Sequence, residues 1–538
     1  FGYPPGEVKF RKSIEGDANV KYGTPYETKS IIKKISRPKI LLVYIVMVAV
    51  IISIFFYILK NSNESGFAKH KKIEINEKFI AVLPIKNLSD NKENQYFADG
   101  VMEDILNYLS AIKEFRVISR SSMEQYRDTK KAIPEIAREL QVSYIIESSV
   151  QIYQDSVRVI VQLVDAKKDE HIWSQSFVRA YKNIFFLESE IAKQVATELS
   201  VTLSPKEKQL IESIPTMEID AYNLYLKGKF FSSKANVDEI NIGIKYFEQA
   251  IKKDPEFALA YAELADAILN KNIFGLTDIK DLEKAKEIVL KSIALDNHIS
   301  KAHTVLAIFS GRIEWDWKKA EKELQLAISL NPNNANAHFH YAIFLHFIKG
   351  DFVESRKEID QALLLDPLSY FELMISSKFY LQQGDFEKAF LETARAQEID
   401  NDNLFSYWVN FENYVKQAKD DKAIDELEKS WNLDTGNKEN AMAIRKAYRK
   451  SGIKGVYQWI IDLDEKSGSS NVNTYWLAQK YAFIGNKNNA LQWLETTLIK
   501  NPIEMHIIKY DPNFYNLHNE PRFLTILNKM NLGNYAEQ

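Results

Sequence analysis

The chain has 538 residues, 46% of them hydrophobic and 12% aromatic, which excludes a disordered polymer and leaves room for three or four domains of roughly 100 to 200 residues. It contains no cysteine, so disulfides, thiolate metal sites and cysteine nucleophiles are excluded. The net charge of −3 is unevenly divided: residues 1–39 carry nine Lys/Arg against four Asp/Glu, residues 60–538 carry 61 against 69, and the acidic larger part argues against a nucleic-acid surface there.

The opening string places Phe1, Gly2, Pro5, Glu7, Val8 and Lys9 in a pattern that resembles the end of an AraC/XylS-type DNA-binding domain. That family's final segment reads Phe-Gly, two residues, Pro, then an aromatic and an Arg. Pro4, Val8 and Lys9 depart from it. The resemblance implies that residues 1–12 are the tail of a truncated helix-turn-helix domain, with the base-reading helices upstream of Phe1 and no DNA-binding residue within this sequence. Residues 13–39 read as a basic cytoplasmic linker. Ile40 to Leu59 is an unbroken run of twenty uncharged, mostly apolar residues. At about 1.5 Å per helical residue such a run matches a hydrocarbon core of roughly 30 Å, and a single transmembrane helix is expected. Lys29, Lys33, Lys34, Arg37 and Lys39 crowd its N-terminal side. The positive-inside rule then keeps the N-terminus cytoplasmic and expects a single-pass protein of the inner membrane whose C-terminal region is periplasmic. A cleaved signal peptide fits less well, because 39 residues precede the run and Gly66 and Ala68 make only a weak cleavage pattern.

After a linker over 60–77, short strands and helices alternate. Phe79 to Ile85 is a β-branched apolar run, and Phe97, Val101, Ile105 and Leu109 form one helical stripe. Phe115 to Ser119 reads as a strand, Ile133 to Leu140 as a helix opening near Pro134, and Val142 to Ile152 as a strand with a buried middle. In Ser156 to Val164, Val157, Val159, Val161 and Leu163 alternate with residues of the other face, as in a half-buried strand. Glu170 to Val178 completes an antiparallel meander, and Phe186 to Leu203 reads as an amphipathic helix. Asp99 is expected to cap a first helical turn, with Glu103 and Asp104 favouring the helix dipole. Ile80-Ala-Val-Leu-Pro84, Asn87-Leu-Ser, Tyr96-Phe-Ala-Asp-Gly100, Glu103-Asp104, Val117-Ile-Ser-Arg120, Glu147-Ser-Ser and Ile172-Trp-Ser together resemble the TolB-like, FlgO-related domain over residues 78–205. That resemblance implies an accessory sensory or protein-binding module, of the kind found between a membrane anchor and a tetratricopeptide array in bacterial regulators, cyclases and kinases.

From residue 215 to 510 the chain repeats. A small residue opens each second helix (Gly243, Ala285, Ala320, Ser355, Ala389, Ala423, Ala490), and twelve residues later stands a turn residue: Pro255, Asn297, Pro332, Pro367, Asn401, Thr435, Pro502. The turns are 42, 35, 35, 34, 34 and 67 residues apart, with an insertion around Asn272 to Asp281 in the first interval and a degraded repeat near Gly455 in the last. A 34-residue period is the tetratricopeptide signature, and about eight helical pairs are expected to stack into a solenoid. Residues 511–538 resemble the C-terminal cap of that family. Expected overall is a mainly α protein: one transmembrane helix, a small α/β TolB-like domain and an α-helical tetratricopeptide solenoid.

Function in such arrays lies on the concave face. Counting from the repeat starts puts Phe339, Phe371, Met374, Phe405 and Trp408 there, an aromatic track able to hold a protein or peptide segment. His303 and His338 stand one repeat apart and share a packing slot, so they are not read as metal ligands. Asp462 and Asp464 start like a calcium loop, but Ser467 replaces its glycine and no glutamate closes it. Neither a phosphate loop nor a nucleophile elbow occurs. No catalytic, cofactor or metal residue is expected, and the chain is not expected to be an enzyme. The function expected is that of a membrane-anchored AraC-type transcriptional regulator. It would bind DNA through the missing N-terminal domain, contact the membrane through residues 40–59, take a protein partner on the solenoid and have the option of homodimerising. The alternatives are an envelope scaffold without DNA binding, or the sensory half of a cyclase or kinase.

Overall fold

The structure, a computed structural model, describes residues 78–234, 236–273, 279–433, 438–466 and 472–533. The expected domain tail at 1–12, the basic linker, the apolar run at 40–59 and the linker to residue 77 lie outside the described residues. Among the described residues, no helix is long and apolar enough to cross a membrane. The longest, Lys438–Lys466, carries Arg445, Lys446, Arg449, Lys450 and Lys454, and charges so close together forbid a bilayer interior. This stands as a correction to the expected fold class and to the single-pass inner-membrane localisation, whereas the membrane contact expected of residues 40–59 lies outside the described residues. The architecture is mainly α, a small sheet domain followed by a helical solenoid, with no transmembrane helix among the described residues.

The sheet contains β1 (Lys78–Val82), β2 (Lys86–Asn87), β3 (Phe115–Val117), β4 (Tyr144–Tyr153), β5 (Ser156–Asp165) and β6 (Glu170–Ala180). Its order is β3-β1-β4-β5-β6, with β2 paired beside β4. β1 runs parallel to both neighbours, with Ile80 opposite Val117 on one side and Tyr144 on the other. β4, β5 and β6 form an antiparallel meander. Val157, Val159, Val161 and Leu163 are fully buried, as strand alternation requires of the core face. The helices are α1 (Gln95–Ser110), α2 (Arg120–Glu124), α3 (Ile133–Leu140), α4 (Ile184–Glu198) and α5 (Pro205–Glu212). α5 begins with a capping box between Ser204 and Glu207.

Among the described residues eight helical hairpins follow: α6 (Ile219–Ser232) with Val237–Lys253, Ala258–Ile273 with Ile279–Leu295, Ser300–Arg312 with Trp317–Leu330, Ala335–Phe344 with Phe352–Leu365, Tyr370–Gln383 with Phe386–Ile399, Leu404–Lys416 with Asp420–Leu433, the two halves of Lys438–Lys466, and Thr474–Ile484 with Lys487–Lys500. Ser451 and Gly452 break the seventh pair. Ala285, Ala320, Ala389, Ala423 and Ala490 are buried where the two helices of a hairpin meet, and Ser355 there donates to the Ala342 carbonyl at 3.0 Å. One slot recurs along the array. Tyr261, His303, His338 and Tyr407 each reach the turn carbonyl six residues earlier, at 3.2, 3.0, 3.1 and 3.3 Å. In the two histidines the other ring nitrogen lies 2.6 Å from Glu323 or Glu358. The histidine spacing is thus the repeat itself.

Two inter-repeat turns return to the edge of the sheet. Asn333 behaves as a one-residue strand: its Oδ1 accepts from the Val117 N–H at 3.1 Å, and its Nδ2 donates to the carbonyls of Phe115 and Ser110 at 3.2 and 3.0 Å. One repeat further on, the Ser119 N–H donates to the Leu365 carbonyl at 2.8 Å, and the hydroxyls of Ser121 and Ser122 both donate to Asp366. These bonds satisfy an edge strand that would otherwise offer free N–H and C=O groups to another chain. The last segment, the 3₁₀ turns Pro502–Tyr510 and Pro512–Leu517 with helix Pro521–Lys529, folds back across the third to fifth hairpins. There the Trp317 indole donates to the Met530 carbonyl at 2.8 Å and Gln382 Nε2 to the Tyr510 carbonyl at 2.9 Å.

Gly243 sets the spacing of the first hairpin. A Cβ there would stand 2.8 Å from the Gly228 carbonyl oxygen and 2.9 Å from the Ser232 nitrogen. Gly243→Val should therefore force the helices apart and cost about 1 to 3 kcal/mol, read as a lowered unfolding midpoint in urea.

Candidate functional site

Two regions concentrate polar chemistry. The first is the junction between the sheet domain and the solenoid, where α6 lies on α1. The approach is close because position 100 is glycine: a Cβ there would sit 2.6 Å from the Leu226 methyls. At this crossing Lys229, only 5% exposed, places its ammonium 2.8 Å from Glu103 and 3.9 Å from Asp104. Arg120 closes the other side, 2.7 Å from Glu103 and 3.6 Å from Asp99, and Arg127 holds Asp99 at 2.8 Å. The Tyr222 hydroxyl donates to Asp104 and lies 3.3 Å from Glu188, a carboxyl with no exposed surface.

The balance of these charges decides which groups ionise. Burial would raise the Glu103 carboxyl, but Lys229, Arg120 and Lys301 outweigh it and hold it at about 2. Asp104 is pushed up by burial despite Lys229, and Glu188 goes well above the usual carboxylate range through burial and the neighbouring Asp104. Burial and the adjacent Asp104 thus both favour the proton-bearing form of Glu188. Asp99 does not cap a first turn. It lies inside α1, buried between Arg120 of α2 and Arg127 of the turn that follows α2. Closed and internally paired, this cluster suits fastening two units together rather than turning over a substrate.

The second region is a cavity of about 110 Å³ between the later hairpins and the returning C-terminal segment. One wall is aromatic: Tyr457 and Phe483 stack at 4.0 Å beside Trp476. Polar groups converge on it from Lys378, Gln382, Lys416 and Gln479. Asp511 is held in place by the Tyr475 hydroxyl at 2.9 Å and Gln479 Nε2 at 2.6 Å. Its lining, aromatic and apolar with a few convergent polar groups, is that of a ligand pocket.

The five residues expected on the concave face differ in exposure. Met374 is fully buried and Phe339 nearly so, with the Phe371 ring 5.5 Å away edge-on. Phe371 is 39% exposed. Phe405 is half-buried beneath the Lys378 ammonium at 5.3 Å, and the half-buried Trp408 donates from its indole to Glu412 at 3.0 Å. None of the five lines the cavity. The same two helices line it with Ile375, Lys378 and Gln382, and with Glu412, Val415 and Lys416. A helical spacing of three and four connects these side chains, so the stripe can be read in the sequence. Its facing partner, the segment from residue 502 onward, cannot.

Residues 76–194 match the profile of the HilA/YgeH-like transcriptional regulator, second domain. The resemblance read from the residues of this stretch is TolB-like; the family matched is the regulator one. A curated relative, putative adenylate cyclase 3 of Rhizobium meliloti (strain 1021), is 29% identical over 238 residues, which is 43% of this chain and 39% of that protein. The chain thus spans about two fifths of that relative's length. Among solved structures, the tetratricopeptide protein TTC0263 of Thermus thermophilus is 19% identical, with 36% of this chain and 99% of that one covered and a TM-score of 0.31. YrrB, described as a TPR protein with an unusual peptide-binding site, is 16% identical, with 37% and 97% covered and a TM-score of 0.29. A tetratricopeptide-type solenoid is what the hairpin geometry above shows.

Removing Lys229 leaves Glu103 and Asp104 buried with too little positive charge. Lys229→Met should cost about 3 to 5 kcal/mol in chemical denaturation. Glu188 gives the opposite sign of pH dependence. Its folded pKa lies above its unfolded one, so its contribution is complete at low pH and is lost as pH rises. Glu188→Gln should match the wild type near pH 4 and become progressively more stable than it toward pH 8, measured by thermal unfolding. A constant difference across that range would contradict the buried, proton-bearing state.

Proposed function

We propose that this chain is the input half of a bacterial transcriptional regulator and acts by binding rather than catalysis. One observation carries the reading: the match of residues 76–194 to the second domain of HilA/YgeH-like regulators. The geometry supplies a route for a signal. The solenoid's cavity takes a segment of a partner protein, its aromatic wall holding apolar side chains and Lys378 and Lys416 steering acidic ones. The solenoid is fastened to the sheet domain at α1, at β3 and at α2, so a change in its curvature reaches all three contacts. DNA is bound by an AraC-type helix-turn-helix domain lying outside residues 78–538, as the Phe1 to Lys12 resemblance suggests. A ligand that favours one curvature then shifts the population of DNA-competent protein by its difference in affinity for the two states.

The Rhizobium relative favours a second reading, in which the same binding unit controls a nucleotide cyclase. Chromatin immunoprecipitation of the tagged full-length protein in its own host separates the two. Discrete promoter-proximal sites are expected. Recovery no greater than that of an untagged strain, with cyclic nucleotide made by the full-length protein, would contradict the regulator reading.

A further inference from the structure

The inter-repeat turns seal β3 at one edge of the sheet, whereas β6 at the opposite edge has no strand on its outer side among the described residues. Its eleven residues include neither lysine nor proline, the usual blocks to edge-to-edge pairing, and all but Phe177 are exposed or half-buried. Just past the end of the ladder the Tyr181 N–H donates to the Asp155 carbonyl at 2.7 Å. Antiparallel alternation then turns the odd-numbered positions of β6 toward β5 and leaves the N–H and C=O groups of Ser174, Ser176 and Val178 pointing outward. The Val178 carbonyl is accordingly met by a side chain, Arg179 Nη1 at 2.9 Å. Ile172 opposes no residue of β5 and forms a bulge, so regular pairing runs from Trp173 to Ala180.

An edge of this kind takes another strand, and the order of its side chains selects which one. About Gln175 the strand reads nearly the same in both directions: Ser174 and Ser176, Trp173 and Phe177, and the exposed Ile172 and Val178 stand at equal distances on either side. Antiparallel pairing with an identical strand has a twofold axis, and opposed residues must share a face of the sheet, so a residue lies on that axis. With Gln175 there, Trp173 of each copy meets Phe177 of the other in non-hydrogen-bonded positions, where side chains approach most closely. Ser174 and Ser176 exchange backbone hydrogen bonds, and Ile172 and Val178 flank this core at both ends. Moving the axis to Ser174 sets Trp173 against Gln175 and Phe177 against His171. Moving it to Ser176 sets Trp173 against Arg179, which Glu190 already holds at 2.6 Å. We propose that β6 pairs with β6 of a second copy of this chain, antiparallel about Gln175, joining the two sheets into one. The dimer stands independently of whether the chain regulates transcription.

The 538-residue chain has no cysteine, so single cysteines report the pairing directly. In Gln175→Cys the two thiols face each other across the axis with Cα atoms about 4.5 Å apart, within reach of a disulfide. In Ser174→Cys they are diagonal neighbours, about 7 to 8 Å apart and too far. Under mild oxidation Gln175→Cys should therefore form covalent dimer about tenfold or more faster than Ser174→Cys, read on non-reducing gels. Ser174→Pro removes an outward N–H and leaves the ladder to β5 intact. It should keep the wild-type circular dichroism spectrum and weaken dimerisation about tenfold or more in sedimentation velocity. If that variant loses the wild-type spectrum, the two cysteine variants decide alone. A monomeric wild type, cross-linking of Ser174→Cys as fast as that of Gln175→Cys, or a folded Ser174→Pro that dimerises as the wild type does would overturn the proposal.

Discussion

The ammonium of Lys229, held 2.8 Å from Glu103 at the crossing of α6 and α1, is the contact on which the rest of the molecule depends. A charge buried this deeply is tolerated only if its partners are in place, so the pair fixes where the solenoid starts relative to the sheet. From that start, each hairpin adds a rotation set by its small residues. Two hairpins later the inter-repeat turns arrive at the sheet edge, where Asn333 both accepts and donates, and Asp366 accepts, hydrogen bonds that only one curvature permits. Gly100 contributes by omission: a Cβ there would press on the Leu226 side chain, which would have to shift.

This arrangement also accounts for the cavity. The C-terminal segment can lie across the third to fifth hairpins only if those hairpins present the right distances to Trp317 and Gln382. His346 in the fourth hairpin stacks on Phe379 at 3.8 Å and passes the contact on, its Nε2 lying 2.8 Å from Gln382. The pocket is thus a product of the whole array rather than of a local motif.

Local periodicity made much of this legible in the sequence. The helix at Ile133–Leu140, the alternation along β5, the buried small residues from Ala285 to Ala490 and the shared slot of His303 and His338 all follow from contacts within about one repeat. What was not legible depends on contacts far apart along the chain. Asp99 looks like a cap because nothing nearby shows that Arg120 and Arg127 flank it. Lys229 is one of many lysines until it is placed beside Glu103. Asn333 reads as a turn residue, although it completes a β-edge more than two hundred residues away. The concave-face count and the cavity-lining stripe pick out different residues, because the cavity is completed by the returning segment, which no 34-residue period contains. The family match adds the regulatory context that the residues between 78 and 205 suggest only through their resemblance.

The α6–α1 ion pair and the β3-edge contacts thus act as one coupled fastening. Amide hydrogen exchange of the wild type and Lys229→Met, followed at Val117 and Ser119, tests this directly. Coupling predicts faster exchange at these two amides in the variant, although neither residue touches Lys229. Exchange accelerated around residues 100–104 and 222–232 alone, with Val117 and Ser119 unchanged, would contradict it.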